Sequence, residues 1–332
     1  MGWRGFSGPC AMIGEIFLGG IEMKRWLLIL VFLIPALAFP DKGMMPIIPG
    51  VSVYEPGQKA IVAWKDGKEV MILSTDVRAT KDTEVLEVIP FPSPPDIQEG
   101  NFDSFLVIQK LILFRMPILG KGEGYDVEVL FHERIGAHDI LLCRVNDWDD
   151  FMRWVEEFLK GAKISPPPRL EEVLRGYLDD GMRYFVFDRI SIASEERSVD
   201  PIIYKFASDF PYYPLKISTI IPGDTDIKLF LITELPLTAF YKEGVGEMKL
   251  VKTIPGAVPV VHPLSNRELW SISGEIGSLF EGEAWLSFLR YRGKLETLRE
   301  DFRAESFSMT TDVSSENLAE SWGKIKTLFS RR

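Results

Sequence analysis

The chain is short of the residue types from which many reaction centres are built. It has three histidines, His132, His138 and His262, and two cysteines, Cys10 and Cys143, among 332 residues. So few histidines narrow the scope for a Ser/His/Asp triad, and no G-x-S-x-G elbow is present to raise a nucleophilic serine. Asparagine occurs only at 101, 146, 266 and 317 and glutamine only at 58, 98 and 109, which gives a thermophile-like composition depleted in labile amides. A basic cluster is also missing. With 38 basic against 48 acidic residues and a net charge of −10, nothing offers the positive face that phosphate backbones require, so a nucleic-acid partner is excluded.

No apolar run reaches the roughly 20 residues that cross a bilayer. The longest, Trp26 to Leu37, follows Met23-Lys24-Arg25 and ends in the small-x-small site Ala36-Leu37-Ala38. These are the three parts of a secretory signal peptide, with cleavage expected after Ala38. Residues 1–22 fit neither a signal n-region nor a folded element. Gly19-Gly20, just upstream of Met23, is what a ribosome-binding sequence would encode, so we expect 1–22 to be a mis-called start extension and 23–38 the signal peptide. The exported form then carries 35 basic and 46 acidic residues, net −11, and one cysteine. A lone Cys143 inside the apolar run Ile140 to Val145 forms no intrachain disulfide and reads as a buried structural thiol. The expected localisation is extracellular or at the cell surface, with membrane contact only through an uncleaved signal segment.

What the chain does have is a well-specified stretch from Gly57 to Gly100. Ala60 to Trp64 and Glu69 to Leu73 are strand-like runs around Lys65-Asp66-Gly67-Lys68, where Asp-Gly suits a type I′ hairpin turn. Thr83 to Ile89 reads as a third strand, and Pro90, Pro92, Pro94 and Pro95 force an extended exit. Phe102 to Leu113 has no deciding phase between helix and strand. Asp147 is a good N-cap for a helix whose apolar face is Trp148, Phe151, Met152, Val155, Phe158 and Leu159. A second helix after Pro166-Pro167-Pro168 repeats Leu170, Val173, Leu174, Tyr177 and Leu178, and Gly181 stops it. Strands are expected at Val127 to Phe131, Ile140 to Val145, Arg183 to Ser191, Ile202 to Phe206, Leu215 to Ile221 and Ile227 to Thr233. Beyond Leu235 the pattern suggests one helix from Ser265 or Asn266 through Phe280, an ambiguous Trp285 to Tyr291, a last strand at Phe307 to Thr311 and a tail helix at Leu318 to Phe329.

Each candidate site competes with a plainer explanation. His132-Glu133 with His138 has metal-ligating residue types, but the histidines are six apart where a helical zinc site needs i and i+4. No metal is assigned. Asp224-Thr225-Asp226 matches a divalent-metal motif, but a turn after Pro222-Gly223 explains all three residues better. Asp147, Asp149 and Asp150 serve as helix cap and dipole partners. Gly120-Lys121-Gly122-Glu123-Gly124 lacks the GKS/T ending of a phosphate cradle, so no cofactor is expected. Paired carboxylates remain open, because many acidic residues allow many pairings. The most ligand-like feature is the aromatic loop with Phe210, Tyr212 and Tyr213 between Pro211 and Pro214, whose flat rings would stack on a glycan or peptide.

Several segments agree in order and spacing with one family. GQKAIVAW and its hairpin, Glu87-Val88-Ile89-Pro90, Ile135-Gly136-Ala137-His138-Asp139, Gly181-Met182-Arg183-Tyr184-Phe185-Val186, Pro201-Ile202-Ile203-Tyr204 and Tyr213-Pro214-Leu215-Lys216-Ile217 resemble the domain of unknown function 2330 family (DUF2330) over about residues 52–235. Phe288-Leu289-Arg290-Tyr291 and Glu300-Asp301-Phe302 echo it more weakly. The resemblance implies an exported, envelope-associated protein of bacteria or archaea and carries no catalytic residues. Many members are associated with a cysteine-containing segment after the signal and a C-terminal membrane helix, and this sequence has neither.

Together these readings give an α+β protein with a mainly antiparallel sheet, a packed helix pair at about 147–180, a main domain over 39–235 and a less regular portion over 236–332 packed on it. The expected function is a non-catalytic binding protein whose partner is a glycan, a peptide or an envelope protein. The alternative is an extracytoplasmic hydrolase using paired carboxylates.

Overall fold

The computed structural model describes residues 44–46, 53–115, 138–161, 164, 166–192, 197–253 and 258–312. The predicted segments at 1–38, 127–131 and 318–329, and His132, lie outside these. The described residues fall within one compact unit, 38–332.

The hairpin at Asp66-Gly67 organises the larger sheet. Strands β2 (Val53–Lys65) and β3 (Lys68–Ala79) pair in register from Gly57↔Asp76 to Lys65↔Lys68. Asp66 and Gly67 both have positive φ, 48° and 75°, as a type I′ turn demands. The predicted third strand forms, yet it does not join this sheet. After β1 (Met45–Pro46), β4 (Thr83–Phe91) begins a second, four-stranded sheet, which β6 (His138–Arg144) and β7 (Tyr184–Ile192) complete in the order β1-β4-β7-β6.

The larger sheet gathers the rest. Its strands include β5 (Asp96–Glu99), β8 (Arg197–Ser198), β9 (Ile202–Ala207), β11 (Asp224–Thr233), β12 (Gly244–Val245), β13 (Met248–Leu250), β14 (Val261–Leu264) and β15 (Ala284–Lys294). The order is β12-β13-β15-β11-β2-β3-β9-β5, with β14 beside β15 and β8 beside β3. All pairs are antiparallel except β11 with β2. Residues past 236 therefore enter the central sheet instead of lying on it. Strands β10 (Tyr212–Tyr213) and β16 (Phe302–Arg303) form a separate short pair.

Helices cover both outer faces. α1 (Asp103–Arg115), α4 (Asn266–Ile272) and α5 (Gly274–Leu279) bury Phe105, Ile108, Leu269 and Ile276 against Ile61, Ala63, Val70 and Ile72 of the larger sheet. Its other face, with Ala60, Val62, Met71 and Leu73, belongs to the cluster shared with the smaller sheet. A strand buried on both faces reads as a continuous apolar run, which is why AIVAW lacks alternation. On the far side of the smaller sheet, α2 (Trp148–Gly161) and α3 (Leu170–Asp179) are the predicted pair. Phe151 stacks on Phe185 and Tyr177 meets the same ring edge-on. The result is four layers, helix, sheet, sheet, helix, in the α+β class.

Local chemistry explains the helix ends. Asp147 Oδ1 accepts from the Asp150 N–H at 2.9 Å, and Gly181, at φ 84°, lets the chain leave α3. Ser265 and Glu268 make a capping box for α4. Ser273 is extended and caps α5 through the N–H groups of Glu275 and Ile276, so the helix expected over 265–280 is two. Leu215 to Ile221, predicted as a strand, holds a 3-10 turn at Lys216–Ile220, and a second 3-10 stretch, Glu305–Asp312, replaces the strand expected at 307–311.

Candidate functional site

The aromatic loop lies inside the molecule. Tyr212 and Tyr213 are both fully buried, and their hydroxyls are committed to Asp301 Oδ2 at 3.2 Å and Gln58 Oε1 at 2.5 Å. Phe210 is half-buried against the same core. The β10–β16 pairing turns this segment inward, so the two tyrosine rings present no stacking face. Asp301 is the hub beneath it, accepting from the Tyr177 and Tyr212 hydroxyls and from the Leu215 and Lys216 N–H groups.

The other predicted residues have structural partners. Asp226 sits on β11 and pairs with Arg290 and Arg292 of β15. Asp150 pairs with Arg153 at 2.9 Å on the surface of α2. His262 lies on β14, where burial and the nearby Arg115 guanidinium lower its pKa and favour the neutral ring. Cys143, expected to be buried, is only half-buried on the edge strand β6, and that burial raises its thiol pKa. Among the described residues no three His, Cys, Asp or Glu side chains are grouped to hold a metal.

Among the described candidates, His138 alone stands in a constellation of chemical interest. Glu87 of β4 and Asp188 of β7 are directly opposite in register, and both point between the two sheets, in phase with Val85, Ile89, Val186 and Ile190. His138 Nδ1 lies 2.6 Å from Asp188 Oδ2 and Nε2 lies 3.1 Å from the Asp200 carbonyl oxygen. Tyr204 of β9 approaches from the larger sheet, where burial and then the charges of Glu87 and Asp188 push its phenol well above the usual range. These groups share a cavity of about 10 Å³ with Leu73, Thr75 and Val199. That is the room of a single water molecule. An imidazole between carboxylates has the parts of a general acid and base, and among the described residues the space beside them is that of one water.

A second concavity is open. At the tip of the β2–β3 hairpin a groove of about 650 Å³ is lined by Lys65, Lys68, Val70, Lys205, Glu275 and Glu281, with Pro94 and Phe206 among its other walls. Register explains the lysines: Lys65 faces Lys68 and Val70 faces Lys205, so all four share the sheet face that α5 leaves uncovered at its end. Lys65 pairs with Glu234 at 3.2 Å and Lys205 with Asp96 at 2.8 Å. Glu275 on α5 bonds Ser273 Oγ at 2.7 Å. Neither Glu87 with Asp188 nor this groove is named by a sequence motif. The one usable signal was a carboxylate in the inward phase of an apolar strand, as in Val85-x-Glu87-x-Ile89 and Val186-x-Asp188-x-Ile190.

This is therefore an α+β protein with a small, buried polar centre between two sheets and an open charged groove at one end. Its stretch 117–247 matches the family model described as an uncharacterized protein conserved in bacteria, DUF2330, which is the family whose pattern the sequence resembles. No curated protein matches the sequence. Among solved structures, baculovirus P35 is similar at 9% identity and a TM-score of 0.38, covering 65% of this chain and 76% of that one. A mutated baculovirus P35 after caspase cleavage gives 10% identity and a TM-score of 0.36, covering 74% and 96%. Neither likeness is strong enough to bear on what the protein does.

Proposed function

We propose that the protein is an exported, envelope-associated binding protein without a reaction of its own, and that the groove at the hairpin tip receives its ligand. The observation that carries this reading is the contrast between the two concavities. The imidazole and carboxylates that chemistry would need are buried around the space of one water, while the far larger groove offers lysines and glutamates on rigid strands and a helix. Charges of both signs on facing walls suit an extended peptide. A peptide is favoured over a glycan because Phe206 is buried in the groove wall and supplies no exposed stacking platform. The pattern Met23 to Ala38 supports export, and no helix among the described residues is long and apolar enough to cross a membrane.

The test is a peptide-display selection on the exported protein, followed by titration of the selected peptide against Lys68→Glu combined with Lys205→Glu. At least a tenfold loss of affinity is expected. Unchanged affinity would remove the groove from the proposal, and a mature N-terminus other than Phe39 would remove the cleavage site. The hydrolase reading stands second, on the opposed Glu87 and Asp188. It would take over if any glycan or peptide were turned over and Glu87→Gln abolished that turnover.

A further inference from the structure

We infer that His138 is a proton-operated latch between the two sheets: as an imidazolium it joins Asp188 of β7 to the Asp200 carbonyl at the entry to β9, and loss of its proton releases one of the two bonds. The argument begins with donors and acceptors. A neutral imidazole has one N–H and one lone pair. Both ring nitrogens of His138 face acceptors, a carboxylate oxygen at 2.6 Å and a backbone carbonyl at 3.1 Å. A carbonyl cannot donate, and an ionised carboxylate cannot either, so with Asp188 ionised the two contacts are made together only by the cation.

The surroundings agree. Glu87 of β4 and Asp188 of β7 face the ring, and so does Tyr204 of β9, whose phenol burial keeps neutral. Leu73, Ser74 and Thr75 of β3 and Val199 add no charge. The Lys59–Asp76 ion pair lies in the opposite phase of β2 and β3. Burial by itself would lower the imidazole pKa. The hydrogen bond and charge of Asp188, the charge of Glu87 and the Asp200 carbonyl outweigh it and hold the group above its ordinary 6.5. Because the folded value is the raised one, the latch contributes fully below pH 6.5 and is lost as pH rises through the folded value. Its location gives the loss a direction. His138 opens β6, which pairs only with β7 among the described residues, so deprotonation loosens an edge strand and the seam over the polar cavity.

Imidazole ¹⁵N spectra of the full chain test this, with the three histidines assigned by His132→Gln and His262→Gln. At pH 6.5 both His138 nitrogens are expected to carry protons, with the transition above that pH. Amide exchange in β6, corrected for its intrinsic pH dependence, should accelerate at least tenfold across the transition. Asp188→Asn should move the midpoint down by about one unit or more. A singly protonated ring at pH 6.5, or exchange in β6 that ignores the titration, overturns the latch. Should Asp188→Asn fail to fold, the wild-type spectra and exchange rates decide on their own.

Discussion

The Tyr177 hydroxyl on α3 donates to Asp301 Oδ1 at 2.7 Å, and the same hydroxyl accepts from the Ile217 N–H at 2.8 Å. One side chain thus ties the helix pair to the 3-10 turn and to the segment that follows β15. Asp301 is buried, and burial raises its pKa although four donors and the nearby Lys216 and Arg303 pull the other way. Replacing it with alanine strands several buried donors at once, each costing about 1–3 kcal/mol. We expect Asp301→Ala to lower the unfolding free energy by about 3–5 kcal/mol in denaturant titration, while Tyr177→Phe costs about 1–2 kcal/mol.

The same network shows which parts of the fold were legible in the sequence. The hairpin, the helix pair and their caps depend on neighbours in the chain and so are legible in it. Leu215 to Ile221 looks like a strand by composition. Its N–H groups are taken by Asp301 and Tyr177 instead of a ladder, and only the tertiary structure brings those acceptors to it. Likewise Tyr212 and Tyr213 resemble a stacking surface until Asp301 and Gln58 are seen to claim their hydroxyls. Glu87, Asp188 and His138 come from three strands far apart in sequence, so their meeting was not readable from any spacing. Burial of one carboxylate in each inward phase was.

Gly67 is held at φ 75° with open space around the position of a Cβ. A side chain there meets no neighbour, so its cost is the backbone term alone. Gly67→Ala is expected to destabilise by about 1–2 kcal/mol. Gly67→Asn, which tolerates that region, should recover most of it. Thermal melts of the two variants side by side check this, and equal melting temperatures would contradict the turn assignment.

Trp270 on α4 lies across Gly277 on α5. A Cβ at 277 would come within 2.4 Å of the indole Cδ2 and 2.8 Å of the Trp270 Cα. The second contact is backbone, so swinging the ring aside does not remove the clash and the two short helices must separate. Gly277→Ala should therefore cost about 1–3 kcal/mol. Trp270→Ala in the same chain should restore only part of it, a coupling that a double-mutant cycle measures.

Glu69 extends the argument to pH. It lies buried beside Trp64 and Phe206, its Oε2 accepts the Tyr212 N–H at 2.8 Å, and its Oε1 has no hydrogen-bond partner among the described residues. Burial pushes its pKa well above the ordinary 4.5 despite that backbone bond, so the folded state keeps the proton to a higher pH than the unfolded chain does. The unfolded chain releases the proton near 4.5, hence folding takes up a proton above that pH and stability falls as pH rises from 4.5 towards the raised folded value. Gln keeps the acceptor for Tyr212 and cannot ionise. We expect Glu69→Gln to match the wild type near pH 4.5 and to gain on it steadily as pH increases, while Glu69→Ala is less stable than Glu69→Gln at every pH because the Tyr212 N–H is left buried and unpaired. Chemical denaturation of the three proteins over that range separates the contributions, and a wild-type curve that rises in parallel with Glu69→Gln would show that Glu69 ionises in the folded protein.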